Sequence, residues 1–133
     1  MIATLRRTYT FEAAHVLPHV PAGHKCGRTH GHSYRVTVIV RGSVQTEGPE
    51  AGMVMDFARV DAHAKPLAVK LDHTILNDHQ GLHNPTAEHL ARWWIYGLRH
   101  VLPHLYGVRV RETTRGEVLV LVSDLEPDDG GHT

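Results

Sequence analysis

The chain has 133 residues, with 14 basic and 14 acidic side chains and a formal net charge of zero when histidine is neutral. That length suits one ordinary domain with a core of its own. The balanced charge, the low aromatic content and the lack of a basic stripe interleaved with aromatics argue against nucleic-acid and membrane-surface roles.

Residues 4–15 alternate as a strand does: Leu5, Tyr9, Phe11, Ala13 and His15 share one face, and Thr8, Thr10 and Glu12 the other. Residues 16–29 carry Pro18, Pro21, Gly23 and Gly27 and read as a loop. Residues 30–41 form a second strand with His30, His32, Tyr34, Val36, Val38 and Val40 facing inward. A Gly/Glu/Pro-rich loop over 42–52 follows. Asp56 is then a good N-cap for a helix whose apolar stripe is Phe57, Val60, Ala64, Leu67 and Leu71. Pro66 falls inside that pattern and is expected to kink or interrupt it. Asn84-Pro85 is expected to open a second helix, with proline in its first turn and Leu90, Trp94, Gly97, Leu98 and Val101 as its buried stripe, ending at Pro103. Strands over 107–113 and 117–122 are joined by a turn at Arg115-Gly116.

The order β-β-α-α-β-β predicts an α+β domain, with a four-stranded antiparallel sheet and two helices on one face. Residues 1–123 make a single domain, and the acidic tail 124–133 is expected to be disordered. The single cysteine, Cys26, excludes an internal disulfide and fits a reducing compartment. Arg6 and Arg7 follow Met1–Leu5 at once, so no leader pattern is seen, and no apolar run approaches the roughly 18 residues of a membrane span. A cytoplasmic protein is expected.

Thirteen histidines is the outlying number, and position decides what they mean. His30 and His32 are two apart on a strand, so their rings point the same way, and Gly31 leaves room between them. If the two strands pair, His15 supplies a third nitrogen, and three nitrogens with one open position describe a catalytic zinc site. His-x-His alone is a weak signal, and three ordinary buried or surface histidines are the competing account.

Cys26 lies in Lys25-Cys26-Gly27-Arg28, a cationic, glycine-rich setting that favours the thiolate over an inert core thiol. Asp72-His73 suits a general acid–base pair, although a helix C-terminus followed by a turn explains it locally. Glu112 shares a face with Val108 and Val110 and would satisfy a ligand with two adjacent N–H donors, or else reach solvent at the strand end. Capping and dipole complementarity account for Thr86 and Glu88. Trp93 and Trp94 read as core or subunit contact, and the remaining histidines as surface or packing. No Glu adjoins the ligands as in His-Glu-x-x-His, which disfavours a zinc hydrolase.

Taken together, Phe11-Glu12-Ala13-Ala14-His15, Cys26-Gly27-Arg28-Thr29-His30-Gly31-His32, Met55-Asp56-Phe57, Leu71-Asp72-His73, Asn84-Pro85-Thr86-Ala87-Glu88 and Glu112-Thr113 resemble the 6-pyruvoyl- and 6-carboxy-tetrahydropterin synthases, over nearly the whole chain to about Val122. The resemblance implies the tunnelling fold (T-fold), assembled as trimers or dimers of trimers with active sites between subunits. It implies Zn2+ on His15, His30 and His32, with Cys26, Asp72, His73 and Glu112 catalytic. Glu112, Thr86 and Glu88 become pterin contacts, and 7,8-dihydroneopterin triphosphate the substrate. The run from Phe11 to His19 and the Lys-Cys-Gly-Arg loop are closer to the bacterial 6-carboxy enzymes of queuosine biosynthesis. The alternatives are a 6-pyruvoyl synthase, an aldolase-like relative and a pterin- or metal-binding module without turnover.

Overall fold

The computed structural model describes residues 1–113 and 115–127. Its elements are β1 (Ile2–His15), β2 (His30–Ser43), α1 (Phe57–Leu71), β3 (Thr74–Ile75), α2 (Ala87–Leu98), β4 (Leu105–Arg111) and β5 (Glu117–Leu121). The sheet order is β3-β1-β2-β4-β5. β1, β2, β4 and β5 form the expected antiparallel ladder, while β3 adds a fifth, two-residue strand parallel to β1 at Ala13 and Ala14. The expected four-stranded sheet therefore gains a short edge. A two-residue strand has no room to show alternation, so nothing in the sequence marks it.

Both helices cover one face. Tyr9, Phe11, Tyr34, Val36, Val38, Val108 and Val110 of the sheet meet Val60, Ala64, Leu71, Leu90, Trp94, Ile95 and Leu98 of the helices in one buried cluster. Phe11 and Tyr9 stack on Trp94, with ring centroids 6.2 Å apart in each case. The opposite sheet face carries no element among the described residues.

α1 begins on Asp56, whose carboxylate accepts the Ala58 N–H at 2.8 Å, as expected of that cap. It then runs unbroken through Pro66. Pro66 and Ala62, whose carbonyl loses its usual donor, are both exposed, so water can take the bond that proline removes. Phe57 is 47% exposed rather than part of the stripe, and Ala68 takes that place. α2 starts two residues after Pro85. Thr86 is its N-cap and accepts the His89 N–H at 3.2 Å, so the proline precedes the helix and does not occupy its first turn. The helix ends at Leu98, which leaves Val101 46% exposed, and Ala91 and Ile95 join the buried stripe in its stead.

β4 and β5 approach closely at Gly107, where a Cβ would sit 2.8 Å from the Val120 carbonyl oxygen, so any side chain there would push the two strands apart. Leu125 packs against the core just after the single turn Val122–Asp124. The rest of the expected tail, 128–133, lies outside the described residues. Among the described residues, the sheet has two unpaired edges: β5, and β1 from Ile2 to Glu12.

Candidate metal centre and surrounding site

The β1–β2 register places His15 opposite His30, and Ala13 opposite His32. Strand parity then puts all three imidazoles on the helix-covered face. One ligand atom from each lies within 4.8 Å of the others. The His15 and His30 Nε2 atoms are 3.0 Å apart, and the three ring centroids are 4.5–5.0 Å apart, edge to face.

In each ring Nδ1 is committed elsewhere. His15 Nδ1 lies 2.8 Å from the buried Pro85 carbonyl and 3.2 Å from the Tyr34 hydroxyl. His30 Nδ1 lies 2.7 Å from the Arg28 carbonyl, and His32 Nδ1 lies 3.1 Å from the Thr113 hydroxyl. A carbonyl can only accept, so His15 and His30 carry the proton on Nδ1 and present a lone pair on Nε2. The Thr113 oxygen also accepts the Ser33 N–H at 3.1 Å, which suits the same tautomer for His32. His32 Nε2 is buried without a hydrogen-bond partner. An orphaned buried nitrogen aimed at two other Nε2 atoms, each oriented by an oxygen behind it, is the arrangement of a metal centre.

Electrostatics agree with that. Burial holds the pKa of His15, only 2% exposed, below the ordinary histidine value. Burial does the same for His32 against the opposing pull of Glu112. Neutral imidazole is the ligand form. Burial, and Glu112 after it, push the Tyr34 hydroxyl up, so it remains a donor.

Glu112, immediately after β4, comes to the same cluster, its Oε2 3.7 Å from His32 Nε2. Thr86 stands next to Pro85 as the cap of α2, and Glu88 lies in the first turn. Cys26 and Asp72-His73 are not among the ligand atoms gathered there. Cys26 sits half-buried in the turn Lys25–Gly27, its N–H donated to His24 Nδ1 at 3.0 Å and its carbonyl accepting from Leu17 N–H at 2.9 Å.

Asp72 caps the C-terminus of α1. Its Oδ1 accepts the Glu12 N–H at 2.9 Å and its Oδ2 lies 3.0 Å from His73 Nδ1. The Glu12 N–H, then His73, hold the Asp72 carboxyl below the usual range, so it stays a carboxylate and orients the imidazole. His73 has φ of 57°, a left-handed conformation unusual for a side-chain-bearing residue, held by its own N–H on the Glu12 carbonyl at 2.5 Å. His73 and His32 line one open cavity of about 490 Å3 together with Glu12, Ser33 and Thr113.

The residues that sequence reasoning missed are those behind the three histidines: Pro85, Arg28 and Tyr34, and Thr113 in its contact with His32. Asn77 belongs with them. Its side chain accepts the Val16 N–H at 3.0 Å and donates to the Val16 carbonyl at 2.8 Å, pinning the chain just beyond His15. Tyr34 on the histidine face is the one sequence signal that pointed this way.

Comparison with known proteins bears on the whole chain. The family model for 6-pyruvoyl tetrahydropterin synthase matches residues 4–121. The chain is 46% identical over 110 residues to the 6-carboxy-5,6,7,8-tetrahydropterin synthase of a Synechocystis strain, covering 80% of this chain and 84% of that one. Its backbone matches 6-pyruvoyl tetrahydropterin synthase of Caenorhabditis elegans with a TM-score of 0.78 at 27% identity, over 91% of this chain and 96% of that one. The Plasmodium vivax enzyme of the same name has the same fold, with a TM-score of 0.69 at 20% identity over 90% and 97%.

Proposed function

The chain belongs to the 6-pyruvoyl tetrahydropterin synthase family, and from that premise we propose that it is a zinc-dependent 6-carboxy-5,6,7,8-tetrahydropterin synthase. With one water it converts 7,8-dihydroneopterin triphosphate to 6-carboxy-tetrahydropterin, acetaldehyde and triphosphate, a step toward 7-deazapurines such as queuosine. The observation that carries the metal part is the convergence of three Nε2 atoms with their Nδ1 partners in place. The 46% identity to a relative named for the carboxy reaction supports that branch.

His15, His30 and His32 would hold the ion. When bound, zinc supplies Lewis acidity that makes side-chain hydroxyl and neighbouring C–H protons easier to remove. Glu112 anchors the pterin by accepting from its 2-amino group and ring N–H, with Thr86 and Glu88 as further contacts. The Cys26 thiolate takes a proton from the substrate side chain. Asp72 fixes His73 by its Nδ1, which leaves Nε2 free to give or take a proton. Two sheet edges are open among the described residues, which supports active sites completed between subunits of a trimer or dimer of trimers. A cytoplasmic setting belongs to the same reading.

The test is incubation of the zinc-loaded protein with 7,8-dihydroneopterin triphosphate, with products read by mass spectrometry and acetaldehyde assayed separately. A 6-carboxy pterin with acetaldehyde is expected. A pyruvoyl pterin without acetaldehyde moves the protein to the 6-pyruvoyl activity. No turnover with metal bound removes both and leaves pterin binding alone. Cys26→Ala should keep the metal and lose turnover, and a C26A protein that still turns over excludes the thiol.

A further inference from the structure

His15 is the last residue of β1, and its pairing with His30 is the last rung of the β1–β2 ladder. Chain ends fray unless something ties them, so the place of this ring depends on what holds the next residue. That residue is Val16, and both of its backbone polar groups go to one side chain. Asn77 Oδ1 accepts the Val16 N–H at 3.0 Å, and Asn77 Nδ2 donates to the Val16 carbonyl at 2.8 Å. An N–H can only donate and a carbonyl only accept, so the orientation of the amide is fixed. It offers acceptor and donor side by side, as the backbone of a neighbouring strand would.

The second Nδ2 hydrogen reaches the other side of the His15 ring, donating to the His83 carbonyl at 3.3 Å. His83 opens the segment that carries Pro85, whose carbonyl lies 2.8 Å from His15 Nδ1. Beyond Asn84 that segment is held by α2: the Asn84 carbonyl lies 2.7 Å from His89 Nδ1, and Thr86 caps the helix. At His83 the tie is Asn77. The turn Leu76–Asp78 that presents Asn77 is seated by Leu76, which is fully buried. One half-buried amide therefore joins the strand end that carries His15 to the segment that supplies the oxygen behind its ring.

We propose that Asn77 is a positioning residue of the metal centre. It acts through His15, fixing both the backbone beneath the ring and the carbonyl that keeps the proton on Nδ1, so that Nε2 is pre-set for a metal ion. The inference rests on the metal-centre reading and is independent of which reaction the protein performs.

Two measurements on the full chain read it: zinc affinity by competition with a chromogenic chelator, and the His15 ring 15N shifts of the metal-free protein by NMR. Wild type should bind zinc and show the Nδ1–H tautomer alone. Asn77→Asp keeps the shape and the acceptor for Val16 but loses both donors and sets a charge against two carbonyls. It should weaken zinc binding by about tenfold or more and mix the two His15 tautomers. Asn77→Ala should do the same, and N77D, of unchanged shape, decides if N77A does not fold. Asp61→Asn is the comparison, because it loosens α1 from Arg7 in the middle of β1. It should lower stability and leave both readings at the wild-type value. Equal loss of affinity in N77D and D61N would mean a general loosening and overturns the proposal. Wild-type affinity, or the Nδ1–H tautomer alone, in a folded N77D or N77A overturns it too. A wild type that binds no zinc overturns the metal centre, and the role of Asn77 with it.

Discussion

A histidine offers two nitrogens, and what distinguishes the three ligand candidates is the oxygen behind each ring. Thr113 is the most separable of these, because its hydroxyl serves both His32 and the Ser33 N–H. Thr113→Val keeps the shape and removes the acceptor. It should weaken zinc affinity roughly 10- to 100-fold, read by competition with a chromogenic chelator, and an unchanged affinity would show that His32 needs no orienting partner. The candidate ligands were legible as a group: parity puts His30 and His32 on one face of their strand, and His15 joins them once β1 and β2 pair. Pro85 and Arg28 were not, because they act through backbone carbonyls that every residue possesses. Cys26 stood out by its cationic, glycine-rich neighbours, while its half-buried place in the turn Lys25–Gly27 depends on the path of the 16–29 loop.

At the level of elements, α2 is held by Trp94, fully buried and stacked on Tyr9 and Phe11. Trp94→Ala should cost roughly 3–5 kcal/mol in denaturant unfolding. It should loosen the metal centre as well, because the chain into α2 passes through Pro85. α1 is docked differently, by an ionic clasp. Arg7 meets both Asp61 oxygens at 2.9 and 2.8 Å, and the Tyr9 hydroxyl donates to Oδ1 at 2.6 Å. The Arg7 bonds, with Tyr9 after them, hold the Asp61 pKa down to about 2 from 3.8. A carboxylate depressed by folding contributes stability that is fully present above its unfolded pKa and fades as pH falls toward the folded value. Asp61→Asn should therefore flatten the stability–pH curve between about pH 4 and 2, read by acid unfolding, with wild type and variant converging at the acid end. The helices were legible by period, but their ends were not. Pro85 marked the start two residues early because proline suits both the first turn and the residue before a cap. Pro66 suggested a break that an exposed position did not need.

For the whole molecule, the helix-covered core and the α+β class followed from alternation and period, while the order of the strands in the sheet came only with the structure. What a single sequence does not contain is how separate copies meet. The composite site proposed above makes a direct prediction. Cys26→Ala and His73→Ala chains, each inactive alone, should recover activity when unfolded together and co-assembled. Recovery at roughly a quarter of the wild-type rate fits random mixing in a closed homo-oligomer. Co-assembled protein with no recovery would place thiol and imidazole in one subunit's site.

The two unpaired edges, β5 and the first part of β1, also set what can go wrong. They are different surfaces, so any pairing between them is head-to-tail, and repetition either closes into a ring or continues without end. Which of the two occurs is decided by the turn accumulated per copy, a property of sheet twist rather than of contact strength. The close passage of β4 against β5 at Gly107 is one place where that twist is set. A substitution there that leaves the fold intact would be seen under the electron microscope as ribbons, and the lesion would be geometric: well-folded subunits with sound edges, unable to meet their own beginning.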